Sequence, residues 1–423
     1  MRKISLVTMG AVLALGGCSE DNGLWLQKGD AATTPDASTP ADTGAPTDAT
    51  TDVPIVLPTD LTAIAPDDVN ILYSGRFDTG QYLATDTTFA SMGSPKKPTA
   101  ALSGSSATIA FTGTAIGAVL QGSVPDYYDG IVDGKVVTTI KLINSAAPYP
   151  IAANLTDAPH VVSIVKRTES NFGRTQFLGF VIAGQISPPP TRPARRILVI
   201  GDSITAGFGM DAASAADPLC MADGQGQPTE DAYNTFGALV ARDLLAESQV
   251  VGVSGIGLMR NYQNTYDPRT MPEEFDLLFP EPYAQPPGLN SPVWDPTHAL
   301  WVPDAILIAL GTNDFGSGNA ASVPPLPDVP SAETFGAAYI AFATTLRGYY
   351  PNVHIFAMTS PAQPDARLDG GIKMMVAAFP DQKVHEIQIP QMNDTGCTGH
   401  PSVIQHAMMA AIAEPVVKTA LGW

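Results

Sequence analysis

The sequence predicts a two-domain α/β protein in which an all-β sandwich precedes a doubly wound parallel sheet. Three observations support this class. A chain of 423 residues is long for one domain. Short β-type runs with Gly and Asp turns fill residues 68–187 and show no helical period, as in a sandwich. After a proline-rich linker at 188–194, apolar runs alternate with helical patterns through 195–423, as in a parallel sheet covered by helices.

The N-terminal part contains a targeting segment and a spacer. Two basic residues precede an apolar stretch that is too short to span a bilayer and is typical of a secretory signal. The following LGGC resembles the lipobox of bacterial lipoproteins, so residues 1–18 are predicted to be a lipoprotein signal peptide with a lipidated Cys18. An ordinary signal with an incidental Cys18 is the alternative. Residues 19–67 are rich in Thr, Ala, Pro and Asp and are predicted to be a disordered linker.

The strands of both domains are predicted from their hydrophobic patterns. In the first domain the β-type segments read NILYSGRFD, SATIAFTG, AIGAVLQG, YYDGIVDG, VVTTIKLI, HVVSIVKRT and FLGFVIAG. In the second domain, near-continuous apolar runs suit parallel strands buried on both faces, and they lie at 197–200, 250–253, 305–310 and 353–358. A last helix is predicted from about Ser402 to Leu421, with Pro401 in its first turn.

Charge and cysteine content limit the partners and cofactors. The chain has 41 acidic and 22 basic residues, a net charge of −19, and phosphate backbones repel such a chain, so we expect no nucleic-acid partner. If Cys18 carries lipid, Cys220 and Cys397 remain, and in an oxidising compartment they most simply form one disulfide. Neither lies in a CxxC motif or a Cys/His cluster, so we expect no metal site. The sequence implies no organic cofactor either.

Three short motifs lie where this arrangement places strand ends or the start of a helix. They are GDSITAG after the first strand of the second domain, GTND at 311–314 and GHP at 399–401. Ligands bind at the carboxyl ends of the strands in such sheets. Acyl transfer by a nucleophile needs a hydroxyl, a base and donors for an oxyanion, and Ser203 in GDSITAG offers the hydroxyl. The alternative is that Ser203 only caps a helix, which would leave the other two motifs unexplained.

Together these motifs resemble those of the SGNH (GDSL-type) hydrolase superfamily. GDSITAGFG, SGIG with Asn261 beyond it, LGTND and GHP follow the superfamily's order across residues 196–423. With a β-sandwich in front, and with WVPDAILIALGTND, YPNVHIFAM and GCTGHPS, the folded part is similar to carbohydrate esterase family two. The resemblance implies a flavodoxin-like sheet, a jelly-roll-like sandwich and an activity like that of acetylxylan esterases, which remove acetyl groups from sugar hydroxyls.

The resemblance also assigns roles to residues of this chain. It makes Ser203 the nucleophile and His400 the general base and then the general acid. It places the N–H of Gly255 and the side-chain amide of Asn313 beside the Ser203 N–H as the oxyanion hole. Physical reasoning agrees with these residue types, because glycine allows close backbone approach and Asn offers a neutral donor. Gly257 in the same loop is the alternative to Gly255, and a turn-stabilising role is the alternative for Asn313.

The sequence departs from the superfamily at the third member of the triad. The usual pattern has Asp three residues before the catalytic His, and here that position is Cys397. Either Asp394, the nearest upstream acid, or a backbone carbonyl is therefore expected to orient His400. A disulfide between Cys220 and Cys397 would join the histidine loop to the segment after the nucleophile, and we expect it to help to position His400.

Other polar and aromatic residues near the motifs have less specific predictions. Asp202 and Asp314 are predicted to be structural. His298 is a candidate site-lining residue because it lies near Trp301 in a loop. Trp294 and Trp301 are candidates for stacking on sugar rings, with ordinary packing as the alternative.

The expected protein is a monomeric bacterial lipoprotein, secreted and held at the outer membrane or cell surface by its lipid alone. Its expected activity is the removal of O-acetyl groups from plant-type polysaccharides or oligosaccharides through a serine acyl-enzyme. Two alternatives stay open at this point. One is a short-chain lipid or ester hydrolase of the same superfamily, and the other is a non-catalytic glycan-binding lipoprotein, since a fold does not by itself fix a function.

Overall fold

The computed structural model describes residues 54–78, 97–122, 126–224, 226–262, 269–281, 291, 293–294, 301–316, 329–362, 364–393 and 395–423. The predicted signal peptide with Cys18 and most of the predicted spacer lie outside these residues. His298 and Asp394 also lie outside them.

The first domain is one antiparallel sheet of nine strands. The strands are β1 (Thr62–Ile64), β2 (Leu72–Ser74), β3 (Thr99–Ala100), β4 (Ser106–Gly122), β5 (Tyr127–Val132), β6 (Lys135–Lys141), β7 (Ala147–Ala152), β8 (Ala158–Lys166) and β9 (Thr175–Ile186). Their order is β1-β9-β4-β8-β5-β6, while β2 and β7 also pair with β4, and β3 pairs with β9. Their inward side chains form one apolar core that includes Ile109, Phe111 and Phe180.

The long strand β4 differs from the sequence prediction. The segments SATIAFTG and AIGAVLQG, predicted as two strands, form one strand of 17 residues. Its pairing with β9 shifts register between Gly113 and Ala115, so the glycine that suggested a turn marks a bulge instead. The two halves of β4 have different neighbours on one side, β8 along residues 106–113 and β7 along 116–120.

The disordered linker predicted for residues 19–67 includes residues that are ordered in the structure. Thr62–Ile64, inside the predicted disordered segment 19–67, forms β1 and pairs with β9. Ile64 is buried in the core of this sheet. Composition indicated disorder because few large apolar residues are present, but the burial of Ile64 and the pairing with β9 give these residues a defined structure.

The second domain is a parallel sheet of five strands. The strands are β10 (Arg195–Gly201), β11 (Ala246–Gly252), β12 (Ala305–Ala309), β13 (His354–Met358) and β14 (Val384–Ile387), in the order β11-β10-β12-β13-β14. This is the flavodoxin-like order, in which ligands bind where the strand order reverses, between the first and third strands. The four predicted strands are present, and β14 is a fifth strand that lies outside the four predicted apolar runs.

Seven α-helices accompany this sheet in the described residues. They are α1 (Ser203–Ala206), α2 (Phe236–Asp243), α3 (Met271–Glu274), α4 (Thr312–Phe315), α5 (Ala332–Tyr349), α6 (Ala366–Ala378) and α7 (Val403–Leu421). Ser402 caps α7 in a capping box with Gln405, so Pro401 precedes the cap and does not lie in the first turn as predicted. No helix in the described part of the chain is long and apolar enough to cross a bilayer.

The helices cover both faces of the parallel sheet. In β10, Leu198 and Ile200 point into a core shared with α5 and α6. Ile197 and Val199 point into a second core, shared with α2 and α7. Alternate residues of one strand are thus buried on opposite faces, which explains why the strand reads as a continuous apolar run.

Candidate active site

Ser203 lies at the carboxyl end of β10, beside the point where the strand order reverses. It is the first residue of the one-turn helix α1. The cap of this helix is Asp202, whose Oδ1 accepts the Ile204 N–H at 3.0 Å. The helix therefore does not need the Ser203 hydroxyl as a cap, and the hydroxyl is available for another partner.

That partner is His400, which lies between strand β14 and helix α7. The His400 Nε2 is 2.8 Å from the Ser203 Oγ, although the two residues are 197 positions apart in sequence. The His400 Nδ1 is 2.9 Å from the carbonyl oxygen of Cys397. Because a carbonyl can only accept, the ring proton lies on Nδ1, and Nε2 is left to accept the serine proton.

The protonation state of His400 suits a general base. Burial lowers the pKa of His400, since burial disfavours the imidazolium, and the hydrogen bond to the Cys397 carbonyl opposes this effect. The imidazole is therefore neutral at neutral pH. The Phe208 ring lies against it, with 4.8 Å between ring centroids. Phe208 lies in the GDSITAGFG motif but was not among the site residues predicted from the sequence.

The histidine loop takes a tight turn that brings His400 back to Cys397. Thr398 has a φ of 52° and Gly399 a φ of 82°, so two successive residues are left-handed. The conformation is unusual for a β-branched residue. The Thr398 hydroxyl lies 3.3 Å from the same ring nitrogen, Nδ1 of His400.

The predicted disulfide is present and fastens this loop. Cys220 and Cys397 are bonded, with 5.4 Å between their Cα atoms. Close backbone contact with the segment after the nucleophile adds to this attachment. The Cys397 N–H donates to the Gly209 carbonyl at 3.0 Å, and a Cβ on Gly209 would lie 2.5 Å from the Cys397 Cβ. Only glycine fits at this position of the GDSITAGFG motif.

The loop after β11 distinguishes between the two candidate glycines. The Gly257 N–H is already bonded to the Asn261 Oδ1 at 3.0 Å. Gly255 has a left-handed φ of 76°, and its N–H has no hydrogen-bond partner among the described residues. Of the two, Gly255 has the N–H that is free to donate to a ligand.

Asn313 joins the loops that follow β10, β11 and β12. It lies in α4, directly after β12, and its side chain is buried. Its amide nitrogen donates to the Ile256 carbonyl at 2.8 Å and lies 3.4 Å from the Asp202 Oδ2. One amide hydrogen is therefore used to hold the Gly255 loop, and the second makes only a long contact.

Asp314 and Arg260 fix the Gly255 loop against α4. The Asp314 carboxylate accepts the N–H groups of Leu258, Met259 and Arg260 at 2.9, 2.7 and 3.0 Å. The Arg260 guanidinium donates in return to the carbonyls of Asp314 and Gly316 at 3.0 and 3.2 Å. Burial raises the pKa of Asp314 to about 6, and these backbone hydrogen bonds oppose the rise. The contacts of Asp314 are structural.

The remaining candidates lie elsewhere or outside the described residues. Trp294 packs on Ala101, Leu278 and Phe279, and Trp301 packs against the core on the α5 and α6 side of the sheet, so packing accounts for both. The described residues contain no group of three or more His, Cys, Asp or Glu side chains that could hold a metal ion.

Comparisons with known proteins match both domains. Residues 90–190 match the model of the carbohydrate esterase 2 N-terminal domain. Residues 199–389 match the model of the GDSL-like lipase/acylhydrolase family. The matched range includes Ser203, Gly255 and Asn313. His400 lies beyond this match.

Individual relatives agree with these domains. The cellulase/esterase CelE of Acetivibrio thermocellus is 29% identical over 369 residues, which are 84% of this chain and 40% of that protein. This chain thus spans less than half of that relative. An acetylxylan esterase / glucomannan deacetylase of Cellvibrio japonicus is 26% identical over 306 residues, 70% of this chain and 77% of that protein.

A solved structure is also similar over both domains. It is a family two carbohydrate esterase from Clostridium thermocellum in complex with cellohexaose, with a TM-score of 0.70 and 28% identity, covering 84% of this chain and 99% of that one. The second domain thus matches the GDSL-like lipase/acylhydrolase family, the first matches the carbohydrate esterase 2 N-terminal domain, and the similar solved structure is a family two carbohydrate esterase.

Proposed function

We propose that the protein is a carbohydrate esterase that removes O-acetyl groups from polysaccharides or oligosaccharides through an acyl-enzyme on Ser203. One observation carries the proposal: the Ser203 Oγ lies 2.8 Å from the Nε2 of His400, whose Nδ1 donates to the Cys397 carbonyl. This is a nucleophile, a neutral base and a group that fixes the tautomer of the base. A carbonyl takes the place of the usual carboxylate, so Ser203 and His400 act as a dyad.

The reaction proceeds in two steps. The Ser203 Oγ attacks the acetyl carbonyl carbon while His400 Nε2 takes the hydroxyl proton. The tetrahedral intermediate then expels the sugar oxygen, which receives that proton from His400, and acetyl-Ser203 remains. In the second step a water molecule loses a proton to His400 and attacks the acetyl group. The tetrahedral intermediate expels the Ser203 Oγ, which takes the proton back from His400, and acetic acid leaves and ionises to acetate in water.

Three donors serve the oxyanion in this proposal. They are the N–H groups of Ser203 and Gly255 and the second amide hydrogen of Asn313. The first two have no hydrogen-bond partner among the described residues, and the third makes only the 3.4 Å contact with Asp202. Removal of one such donor typically raises the barrier by about 3 to 4 kcal/mol.

The choice of an acetylated glycan rests on the relatives and on the charge of the chain. Two relatives are each named acetylxylan esterase / glucomannan deacetylase, and a similar structure holds cellohexaose. A net charge of −19 is compatible with neutral polysaccharides and disfavours polyanions. We further propose a secreted, lipid-anchored location, supported by the LGGC sequence that ends at Cys18. Mass spectrometry of the mature N-terminus would detect a diacylglyceryl Cys18 or its absence.

The test of the function compares wild type, Ser203→Ala and a control, Ser214→Ala, on acetylated xylan and acetylated glucomannan. Ser214 is an exposed serine in the chain segment that follows Ser203. We expect acetate release by wild type and Ser214→Ala and a loss of at least about 1000-fold in Ser203→Ala. Acetate release that persists in Ser203→Ala would contradict the mechanism. Faster hydrolysis of octanoyl than of acetyl esters would instead identify a lipid or short-chain ester hydrolase. Inactivity on every ester would favour the alternative of a non-catalytic glycan-binding protein.

A further inference from the structure

A loop of the first domain reaches the loops that surround the candidate active site. This loop, residues 167–174, connects β8 with β9. The Arg167 Nε donates to the Glu230 carbonyl at 2.8 Å, and the Ser170 hydroxyl donates to the Pro280 carbonyl. Between them, the Glu169 carboxyl accepts the N–H of Ser254, with 2.6 Å between Oε2 and N. A side chain of the β domain therefore contacts the residue directly before Gly255.

This contact is one of two that bracket the Gly255 N–H. On one side, Glu169 holds the Ser254 N–H. On the other, the Gly255 carbonyl accepts the Tyr262 N–H at 2.8 Å. The free N–H of Gly255 lies between these two anchors, on a backbone with a left-handed φ of 76°. A glycine has few steric restraints of its own, so its direction depends on the anchors.

Burial of the Glu169 carboxyl costs free energy, which suggests that the carboxyl has a functional role. Glu169 is 0% exposed, and so is Glu230, whose Oε1 accepts the Glu169 N–H at 2.8 Å. The nearby Lys166 ammonium donates to Asp126 and to backbone carbonyls. Burial raises the pKa of Glu169 to about 7, against the hydrogen bonds from Ser254 and the charge of Lys166. Two adjacent buried carboxyls cost free energy that an apolar pair would not, so packing alone does not account for them.

We propose that Glu169 is a positioning residue of the esterase site, which holds the Ser254 N–H and thereby fixes the direction of the Gly255 N–H in the oxyanion hole. The inference rests on the proposed function. It gives the N-terminal domain a part in catalysis, because the site of the second domain is completed by a side chain of the first.

The test uses Glu169→Met, Glu169→Gln and a matched control, Ser170→Ala, in the full chain. Met keeps the length of the side chain without an acceptor, and replacement of a buried charge by an apolar residue is often tolerated. Gln keeps an acceptor oxygen. Ser170→Ala removes a neighbouring contact between the domains and leaves Ser254 untouched. With 4-nitrophenyl acetate, we expect Glu169→Met to lower kcat at least about 10-fold with KM nearly unchanged, because small misplacements of catalytic groups are costly. Glu169→Gln and Ser170→Ala should stay within about 3-fold of wild type.

Hydrogen exchange supplies a readout that does not depend on activity. In Glu169→Met, the backbone amides of residues 251–262 should exchange faster than in wild type or Ser170→Ala. Wild-type kcat and exchange in Glu169→Met would overturn the inference, as would an equal loss of kcat in Ser170→Ala. If wild type hydrolyses no ester, the proposed function fails, and unchanged exchange in Glu169→Met would then separately overturn the anchoring by Glu169.

Discussion

Removal of the bridge between Cys220 and Cys397 should destabilise the protein and lower its activity for two separate reasons. The cysteines are 177 positions apart, and in the loop-entropy model a cross-link over that length stabilises the fold by about 5 kcal/mol as an upper figure. Cys220→Ala should therefore lower the urea midpoint substantially. Cys397→Ala should give a similar shift, since either substitution breaks the same bridge.

The effect on activity should be smaller than a complete loss, because other contacts still hold the histidine loop. Cys397, Val403 and Thr398 donate their N–H groups to carbonyls of the 209–215 segment at 3.0, 3.2 and 3.4 Å. We therefore expect a fall in kcat of about 10-fold, below the roughly 100-fold that a 1 Å displacement costs. The assay is hydrolysis of 4-nitrophenyl acetate by Cys220→Ala, which leaves the carbonyl that binds His400 in place. Wild-type kcat and urea midpoint in this variant would refute the reasoning.

Two further predictions concern the protonation of His400 and the support of the Gly255 loop. Burial lowers the pKa of His400, and only the neutral imidazole accepts the serine proton. The value of kcat/KM should therefore fall as the pH is lowered, with a midpoint below about 6.5. The measurement is a pH series with 4-nitrophenyl acetate, a substrate that does not titrate in this range, and a midpoint above about 7 would contradict the prediction. Asp314→Ala would leave three N–H groups, two of them fully buried, without their acceptor and should lower the free energy of unfolding in urea by about 3 kcal/mol. Asp381→Ala, which breaks an exposed pair with Arg347, should cost less than about 1 kcal/mol, and equal losses in the two variants would refute the structural role of Asp314.

Much of the fold was predictable because its signals are local. Strand β10 reads as an apolar run because both of its faces are buried, and the switch from short β-type runs to alternating strands and helices marks the two domains. The signals failed where one residue type serves two purposes. Gly113 reads as a turn and is used for a bulge, so two predicted strands became β4. Ile64 is one of few large apolar residues in its segment, and its burial depends on a strand more than 100 residues away.

The candidate site divides in the same way. The sequence by itself determined the residue types: a serine after a buried strand, a histidine before the last helix, glycines where backbones approach closely, and two cysteines with one plausible pairing. Only the tertiary structure decided which partners these groups have. It brings the Cys397 carbonyl to the His400 Nδ1, leaves the Gly255 N–H free while that of Gly257 is bonded, and carries Glu169 from the other domain to Ser254. A backbone carbonyl or a distant carboxyl leaves no motif beside the residue that it supports, since hydrogen bonds depend on distance in space and not on spacing along the chain.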